Sequence, residues 1–506
     1  MKKFKMLGVA FVAMLAICCS AIFIGCDSNS KIPDNSAFTE TEVGAAVDEM
    51  LSALFVGILG EEVWAGCENE ECDGEEETCG ECEWEIGLES EVAKIYNLAL
   101  AAIAKGIIAA NITDEQIGEI MDLIVGIMDK IEGTPKSIAS VTSTVIPPSD
   151  PSALAPMAIL SIFTELGEII TSTQVADFAW VMMSEANKIA KHKVVEDYIA
   201  SLDDEETTDD YENIKYALGE AVKIGANDFK RAVKTIVEVG KLVMESDYVE
   251  LVLEMALSFE GSDKVAVPSV EEIVDIVAAV KLLNTGVNAI VRQPEFRSLA
   301  NCAKVFMKIG ITLENKYALA ELEAYVAKNP NDTDAKEERD ELKKVKVNDV
   351  VKAYNGRIDL VVNNYNKTIA VDTAMLNAIT EEMIEAVYAA VEDKDWDVVT
   401  IAIGKVLEAG LYAQGGFNAQ QAKNLASDII DLQTALDKAR GDDVPTKEEI
   451  AEEKADQHAI IDLIYDDAAL YKDTDLDDEV PEDSFIALMI TMLIEMGPSI
   501  YSLLAA

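Results

Sequence analysis

The stretch SVEEIVDIVAAVKLLNTGVNAIV, residues 269–291, decides the fold class of this chain. Pro268 precedes it, and Ser269 and Glu272 have the spacing of a capping box, which predicts that a helix begins here. Its apolar residues recur at heptad-like positions, with Asn284 on the same stripe: Val270, Ile273, Val277, Val280, Val287 and Val291. Because the apolar face is wider than a two-position seam, the pattern favours a helix packed among neighbours over an isolated coiled coil.

Apolar residues recur at helical spacing in nearly every other segment, and no run shows convincing strand-type alternation. The sequence therefore predicts an all-α fold. Its expected architecture is an irregular array of antiparallel helical hairpins, either α-solenoid-like or a multi-helix bundle.

Several helix boundaries are predicted from caps and periodicity. The first long helix is expected from about Thr41 to Trp64, opened by a capping box of Thr39 and Glu42. Another capping box, Thr446 with Glu449 after Pro445, is expected to open the last long helix. The periodicity predicts one helix over 174–201, followed by an acidic loop over 203–210. It also predicts two separate helices, over 294–309 and 312–328.

Internal repeats are limited to short fragments. Three motifs place an aspartate and an aromatic residue before a Val/Ala-rich helix: Asp228-Phe229, Asp247-Tyr248 and Asp395-Trp396. The turn Lys328-Asn329-Pro330-Asn331-Asp332 resembles the inter-repeat turn of tetratricopeptide arrays. Because no period of about 34 residues runs along the chain, the sequence favours an irregular array.

Acidic residues dominate the composition. The chain has 94 Asp and Glu against 41 Lys and Arg, for a net charge of −53, while 50% of its residues are apolar. The apolar half is enough to form a core despite the charge. Because the charge repels nucleic acid and anionic lipid headgroups, no nucleic-acid partner is expected. The partners that suit this charge are cations, basic protein surfaces or simply water, and a solvated acidic surface is favoured over a specific polycation site.

The N-terminus has the pattern of an export signal. Lys2, Lys3 and Lys5 precede an almost unbroken apolar run over 6–24. The sequence Phe23-Ile24-Gly25-Cys26 resembles the lipobox of bacterial lipoproteins, in which a small residue precedes the cysteine that is acylated. The resemblance implies a lipid anchor on Cys26 at the cell membrane or the outer membrane, in the periplasm or at the cell surface. An ordinary cleaved signal and an uncleaved membrane anchor are the alternatives.

Domain boundaries follow from this signal and from a proline cluster. Four of the twelve prolines fall between Pro147 and Pro156. Cleavage before Cys26 removes three lysines, which makes the net charge −56. The predicted division is a signal peptide (1–25), a flexible tether (26–37), an N-terminal helical region (38–146) with a Cys-rich acidic loop (61–85), a Pro-rich linker (147–156) and a main helical array (157–506).

Four cysteines lie close together in the acidic loop: Cys67, Cys72, Cys79 and Cys82. In an oxidising compartment they are expected to form two structural disulfides, of which three pairings exist. Four thiolates would also suit zinc, although only the C-x-x-C half has knuckle-like spacing. A redox C-x-x-C is the third alternative, and the flanking glutamates disfavour it because they raise the thiol pKa. Cys302, in a helical pattern, is expected to be a buried free thiol.

The sequence offers few other candidates for a metal-binding or catalytic site. Asp473, Asp475 and Asp477 open a calcium-type D-x-D-x-D loop, but Asp478 and Ser484 stand where an EF-hand needs Gly and Glu. A calcium clip of another kind and a plain acidic loop are the two interpretations. The sequence contains no nucleophile elbow, zinc-protease motif, P-loop or dinucleotide fingerprint. With only two histidines in addition, it favours a protein that is not an enzyme.

The apolar C-terminal stretch, 485–506, is long enough to span a membrane. The internal Glu495, the Gly497-Pro498 break and the lack of flanking Lys or Arg favour a buried closing helix instead. If this stretch is partly exposed, it becomes the best candidate for a protein-binding surface.

Together these features predict a lipid-anchored, extracytoplasmic, all-helical binding or scaffold protein that interacts with another envelope protein. The first alternative is a protein that binds a divalent cation such as calcium, and the leading prediction includes no cofactor. The second is a hydrolase with a noncanonical site, for which the sequence offers no nucleophile and base.

Overall fold

The computed structural model describes residues 33–59, 61–67, 82–88, 90–120, 168–202, 204–246, 269–481, 484–490 and 492. The predicted all-α class is confirmed. The helices of the described residues are α1 (Ser36–Thr39), α2 (Glu42–Leu59), α3 (Ser90–Ala110), α4 (Ser172–Ile189), α5 (Lys193–Ser201), α6 (Glu205–Ala221), α7 (Ala226–Met244), α8 (Val270–Ile290), α9 (Gln293–Lys328), α10 (Thr333–Leu342), α11 (Val347–Ala378), α12 (Glu381–Asp393), α13 (Trp396–Leu411), α14 (Ala419–Arg440) and α15 (Lys447–Ala469). Residues 114–120 and 485–490 are also helical.

One antiparallel hairpin interrupts the helical pattern and corrects the N-terminal prediction. The first long helix ends at Leu59 and not at Trp64, because Trp64 lies in strand β1 (Glu61–Cys67). Strand β2 (Cys82–Gly87) pairs with β1. No convincing strand-type alternation marks this stretch of sequence, yet it forms the two strands found among the described residues.

Three other boundaries differ from the predicted ones. His192 separates α4 from α5, where its Nδ1 accepts the Val194 N–H. Most of the expected acidic loop at 203–210 lies in the first turns of α6, where negative charge is favourable at the positive end of the helix dipole. The two helices expected between 294 and 328 form the single helix α9.

Capping boxes set several helix starts. The predicted boxes at Ser269 and Thr446 form, each with the reciprocal hydrogen bonds to a glutamate three residues later. The predicted box at Thr39 does not form, since Thr39 ends α1. Thr41 replaces it, and its hydroxyl oxygen accepts the Gly44 N–H at 2.9 Å.

The described residues group into two compact units. One holds the residues up to Lys241 together with Asn301–Ile309, and the other holds Leu242–Ala300 and the residues from Gly310 onward. This grouping puts α4 to α6 with the N-terminal helices. The predicted linker 147–156 lies outside the described residues, so the predicted division stays a prediction.

Helix α3 forms the core of the first unit. Leu98, Ala102 and Ile103 have no exposed surface, and Gly106 lets α3 approach the side chains of α4 closely. Two described helices, α3 and α8, are long and apolar enough to cross a membrane by length and composition alone. Half of that stretch in α3 is buried, as expected of a core helix.

Glu220 in α6 is a buried carboxylate of the first unit with two cationic partners. Lys223 and Lys308 both donate to it, the second at 2.8 Å. Burial alone would raise the pKa of Glu220, but the two lysines outweigh it and hold that pKa below its usual value.

A lowered carboxyl pKa makes stability depend on pH. The stabilisation from Glu220 is complete above the unfolded-state pKa and is lost as the pH falls through the lower folded-state pKa. Glu220→Gln is therefore expected to lower the free energy of unfolding by about 1 to 2 kcal/mol near neutral pH. Urea unfolding at neutral and acid pH checks this, since the difference between variant and parent should shrink in acid. Glu212→Gln, at an exposed position of the same helix, is the control, and a difference that does not change with pH would contradict the prediction.

The helices of the second unit pair in antiparallel fashion. Between α8 and α11, Asn284 Nδ2 donates to Thr373 Oγ1 at 3.4 Å and the Tyr365 hydroxyl donates to the Val291 carbonyl at 2.8 Å. Between α11 and α14, the Lys346 N–H donates to the Ala439 carbonyl at 2.9 Å. Neither pair is consecutive in the chain, so the predicted arrangement of helical hairpins stays a prediction.

Helices α14 and α15 are joined by a polar ladder whose contacts recur every four residues. Two lysine–carboxylate pairs flank a serine–histidine contact. The three pairs are Lys423 with Asp462, Ser427 with His458, and Lys454 with Asp431. Because four residues are about one helical turn, all three contacts lie on one seam.

Candidate functional site

The C-terminal closure, defined as residues 471–481, 484–490 and 492, packs against α13 in the second unit. Tyr471 has no exposed surface and shares a cluster with Ile401 of α13 and with Ile486. Partly buried apolar side chains complete this cluster: Leu407, Leu476, Val480 and Ile490. One apolar core therefore holds both the aspartate-containing stretch 471–481 and the terminal helical segment 484–490.

Gly404 lets the ring of Tyr471 lie directly on the backbone of α13. A Cβ atom at Gly404 would overlap the ring carbons of Tyr471. Any side chain at this position would displace the ring, so this close approach requires glycine.

Asp467 of α15 holds the start of the terminal helical segment. Its carboxylate is buried, with the residue 4% exposed. Oδ1 accepts the Phe485 N–H at 2.7 Å, and Oδ2 accepts the Ile486 N–H at 2.9 Å and the Ser484 hydroxyl at 3.2 Å. The first N–H groups of a helix have no partner within it, so this carboxylate supplies the acceptors that they need.

The Ser484 hydroxyl connects this carboxylate to Tyr471. Besides donating to Asp467, it accepts the Ala487 N–H at 3.1 Å and lies 2.6 Å from the Tyr471 hydroxyl. Burial raises the pKa of the Tyr471 phenol, which keeps its proton and donates it to Ser484. All three hydrogen-bonding positions of Ser484 are therefore used.

The other face of the terminal segment is exposed and apolar. Leu488, Met489 and Met492 are 54%, 46% and 55% exposed. The predicted buried closing helix is therefore correct for Ile486, which is 6% exposed, and wrong for this face. Residues 493–506 lie outside the described part of the chain.

The predicted calcium-type loop precedes this terminal segment in the chain. Asp473, Asp475 and Asp477 are exposed, and the Lys405 ammonium holds the loop by donating to the Thr474 carbonyl. No three His, Cys, Asp or Glu side chains gather into a metal-binding group within the described ranges. The calcium interpretation of these aspartates stays a prediction.

The predicted cysteine sites are only partly described. Cys67 and Cys82 occupy the loop ends of β1 and β2, while Cys26, Cys72 and Cys79 lie outside the described residues. Cys302 is confirmed as a buried free thiol. Burial, with a smaller contribution from Asp228, raises its pKa to about 11, which makes this thiol a poor nucleophile.

The Ser427–His458 contact is the arrangement that comes nearest to a nucleophile with its base among the described contacts. The hydroxyl lies 2.8 Å from Nε2, but Nε2 also lies 3.1 Å from the Lys423 carbonyl. Because a carbonyl only accepts, the Lys423 contact fits the tautomer with the proton on Nε2, and in that tautomer Nε2 is not a base toward Ser427. This contact therefore serves to join two helices.

Sequence reasoning missed the residues that build the closure. Asp467 stands next to Asp466 in an acidic run, and only the fold shows that one is buried and the other exposed. Tyr471 and Gly404 are far apart in sequence, so no local pattern links them. The one available signal was Ser484 before an apolar run, which is the pattern of a helix N-cap.

Comparison of the chain with protein-family models, with curated proteins and with solved structures found no match.

Proposed function

We propose that this chain is a lipid-anchored, extracytoplasmic, all-helical binding protein whose C-terminal closure docks another protein of the bacterial cell envelope. The observation that carries the proposal is the exposed apolar face of Leu488, Met489 and Met492, which follows the exposed aspartates of 473–477 in the chain. Exposed apolar residues grouped on one rigid element are typical of protein interaction sites.

The closure suits a partner that is apolar and basic. The two methionines can adapt to differently shaped apolar surfaces. The exposed carboxylates of Asp473, Asp475 and Asp477 would attract Lys or Arg side chains flanking the apolar contact. The network of Asp467 and Ser484 fixes the segment before binding, which lowers the entropy lost on association.

The anchor is supported by the lipobox-like sequence ending at Cys26. One acyl chain gives only marginal membrane binding, and two or more give stable anchoring. The net charge of −56 that remains after cleavage disfavours contact of the helical body with anionic headgroups and with nucleic acid.

Crosslinking in native membranes tests the docking surface. We expect one dominant partner protein to be trapped by the parent chain. Leu488→Lys with Met489→Lys is expected to reduce this product about tenfold, since it places two charges on the apolar contact. Both positions are half exposed, so the fold should tolerate the change.

Ile460→Lys provides the matched control, because Ile460 is an apolar residue of α15 that is 44% exposed. It should leave the crosslinked product unchanged. A product that survives the double substitution, or an equal loss in the control, would place the partner elsewhere and contradict the proposal.

The anchor is tested separately at Cys26. Cys26→Ser is expected to abolish incorporation of labelled fatty acid and to release the chain from membranes into the soluble fraction. Asp27→Asn, which keeps the cysteine, is the control. Membrane association that persists without Cys26 would show that another segment anchors the chain.

A further inference from the structure

The hairpin of β1 and β2 places two of the four clustered cysteines opposite one another. In the antiparallel ladder Trp64 pairs with Trp84, and the last pair before the loop is Cys67 with Cys82. We infer that Cys67 and Cys82 form a disulfide that joins the ends of the two strands at the base of the Cys-rich acidic loop (61–85).

A bulge in β1 produces this register. Ala65 has no partner in the ladder, and the pairing resumes with Gly66 opposite Glu83. Without this extra residue Gly66 would face Cys82, and Cys67 would have no cysteine across from it. The irregularity is thus what aligns the two cysteines.

Facing residues of an antiparallel pair match the requirements of a disulfide. Their Cα atoms lie about 4.5 to 5.5 Å apart, within the range of about 4.4 to 6.8 Å that disulfides bridge. Cys67 and Cys82 are the two cysteines that face one another in this ladder, and Cys72 and Cys79 lie outside the described residues. Of the three pairings, the register therefore favours the one that leaves Cys72 and Cys79 to each other.

The negative charge of residues 61–85 destabilises the hairpin, and a cross-link between its strands opposes this effect. Residues 61–85 contain twelve Asp and Glu and no Lys or Arg, so the two strands and the loop repel one another. A two-stranded hairpin is marginal by itself in water. A covalent bond between the strand ends holds the ladder closed against this repulsion.

The bond forms by thiol–disulfide exchange with a small disulfide compound. In the cell, its formation depends on the proposed extracytoplasmic location. The Cys67 thiolate attacks the oxidant and releases one thiol. The Cys82 thiolate then attacks this mixed disulfide and releases the second. One disulfide bond breaks and one forms, two electrons pass to the oxidant, and the two protons leave on its thiols.

Peptide mapping tests the pairing, because glutamates separate all four cysteines. Glutamyl endopeptidase can cut after Glu68, Glu71, Glu77 and Glu81. The purified full chain is reduced, reoxidised with oxidised glutathione, alkylated and digested without reduction. We expect the peptide with Cys67 to be joined to the one with Cys82. A Cys67 peptide joined to that of Cys72 or Cys79, or found alkylated, would overturn the inference.

Two double variants give a matched control. Cys72→Ser with Cys79→Ser should keep Cys67 and Cys82 protected, with alkylation about tenfold lower than after reduction. Cys67→Ser with Cys82→Ser removes the linked peptide. Protection that a chelator abolishes and a reductant does not would indicate a metal thiolate site and overturn the disulfide.

The same digest of the chain purified from membranes separates this inference from the proposed function. The linked peptide in reoxidised protein but free thiols in cells would support the pairing and contradict the extracytoplasmic location. A different pairing in both samples would overturn the pairing alone.

Discussion

Replacing Tyr471 by alanine is expected to lower the free energy of unfolding of the C-terminal closure by about 4 kcal/mol. Tyr471 has no exposed surface and packs between Ile401 and Ile486. Truncation removes the transfer free energy of the ring and leaves a cavity against the bare backbone of Gly404. It also removes the hydrogen bond to Ser484.

Two further substitutions separate these contributions. Tyr471→Phe keeps the ring and should cost only about 1 kcal/mol for the lost hydrogen bond. Gly404→Ala should cost about 1 to 3 kcal/mol, since its methyl group overlaps the ring. Native-state hydrogen exchange at the amides of α13 measures the opening free energy directly. Equal effects of the alanine and phenylalanine variants would contradict the packing argument.

Replacing Asp467 by alanine is expected to release the segment 485–490 from α15, with a loss of about 3 kcal/mol. The buried carboxylate accepts two backbone N–H groups and the Ser484 hydroxyl. The Ser484 hydroxyl and the Ile486 N–H would be left buried without this acceptor, and the Phe485 N–H partly buried. Hydrogen bonds to a charged group are stronger than neutral ones.

Hydrogen exchange at the amides of Phe485 and Ile486 measures this effect. Asp466→Ala is the matched control, because Asp466 is the adjacent acid in α15 and is exposed. It should change the exchange of these amides little. The same protection in the Asp467 variant as in the control would show that the segment is held by its packed side chains, Ile486 and Ile490, alone.

Much of the fold could be predicted because helices are specified locally. The capping boxes at Ser269 and Thr446 act within one turn, and both form as predicted. The hairpin could not be predicted in this way, since β1 begins with two glutamates and its bulge breaks the alternation at Ala65. Its pairing depends on a strand that follows a long loop.

The candidate site was predictable only in outline. The apolar composition of 485–506 indicated either a buried helix or a partner-binding surface, and the described part of it is buried on one side and exposed on the other. Burial of Asp467 depends on contacts between segments 17 to 19 residues apart in sequence. Periodicity within one helix contains no information about such contacts.

The ladder between α14 and α15 restricts how these helices can assemble. Exposed ion pairs add little stability, about 0.5 kcal/mol each. Their spacing has a larger effect, since a slip of one helical turn in either direction takes Lys454 away from Asp431. In one direction Lys454 would also face Ser427, and Lys423 would face His458. In a chain with so few cations, the placement of two lysines penalises misaligned helix docking during folding and favours a single alignment.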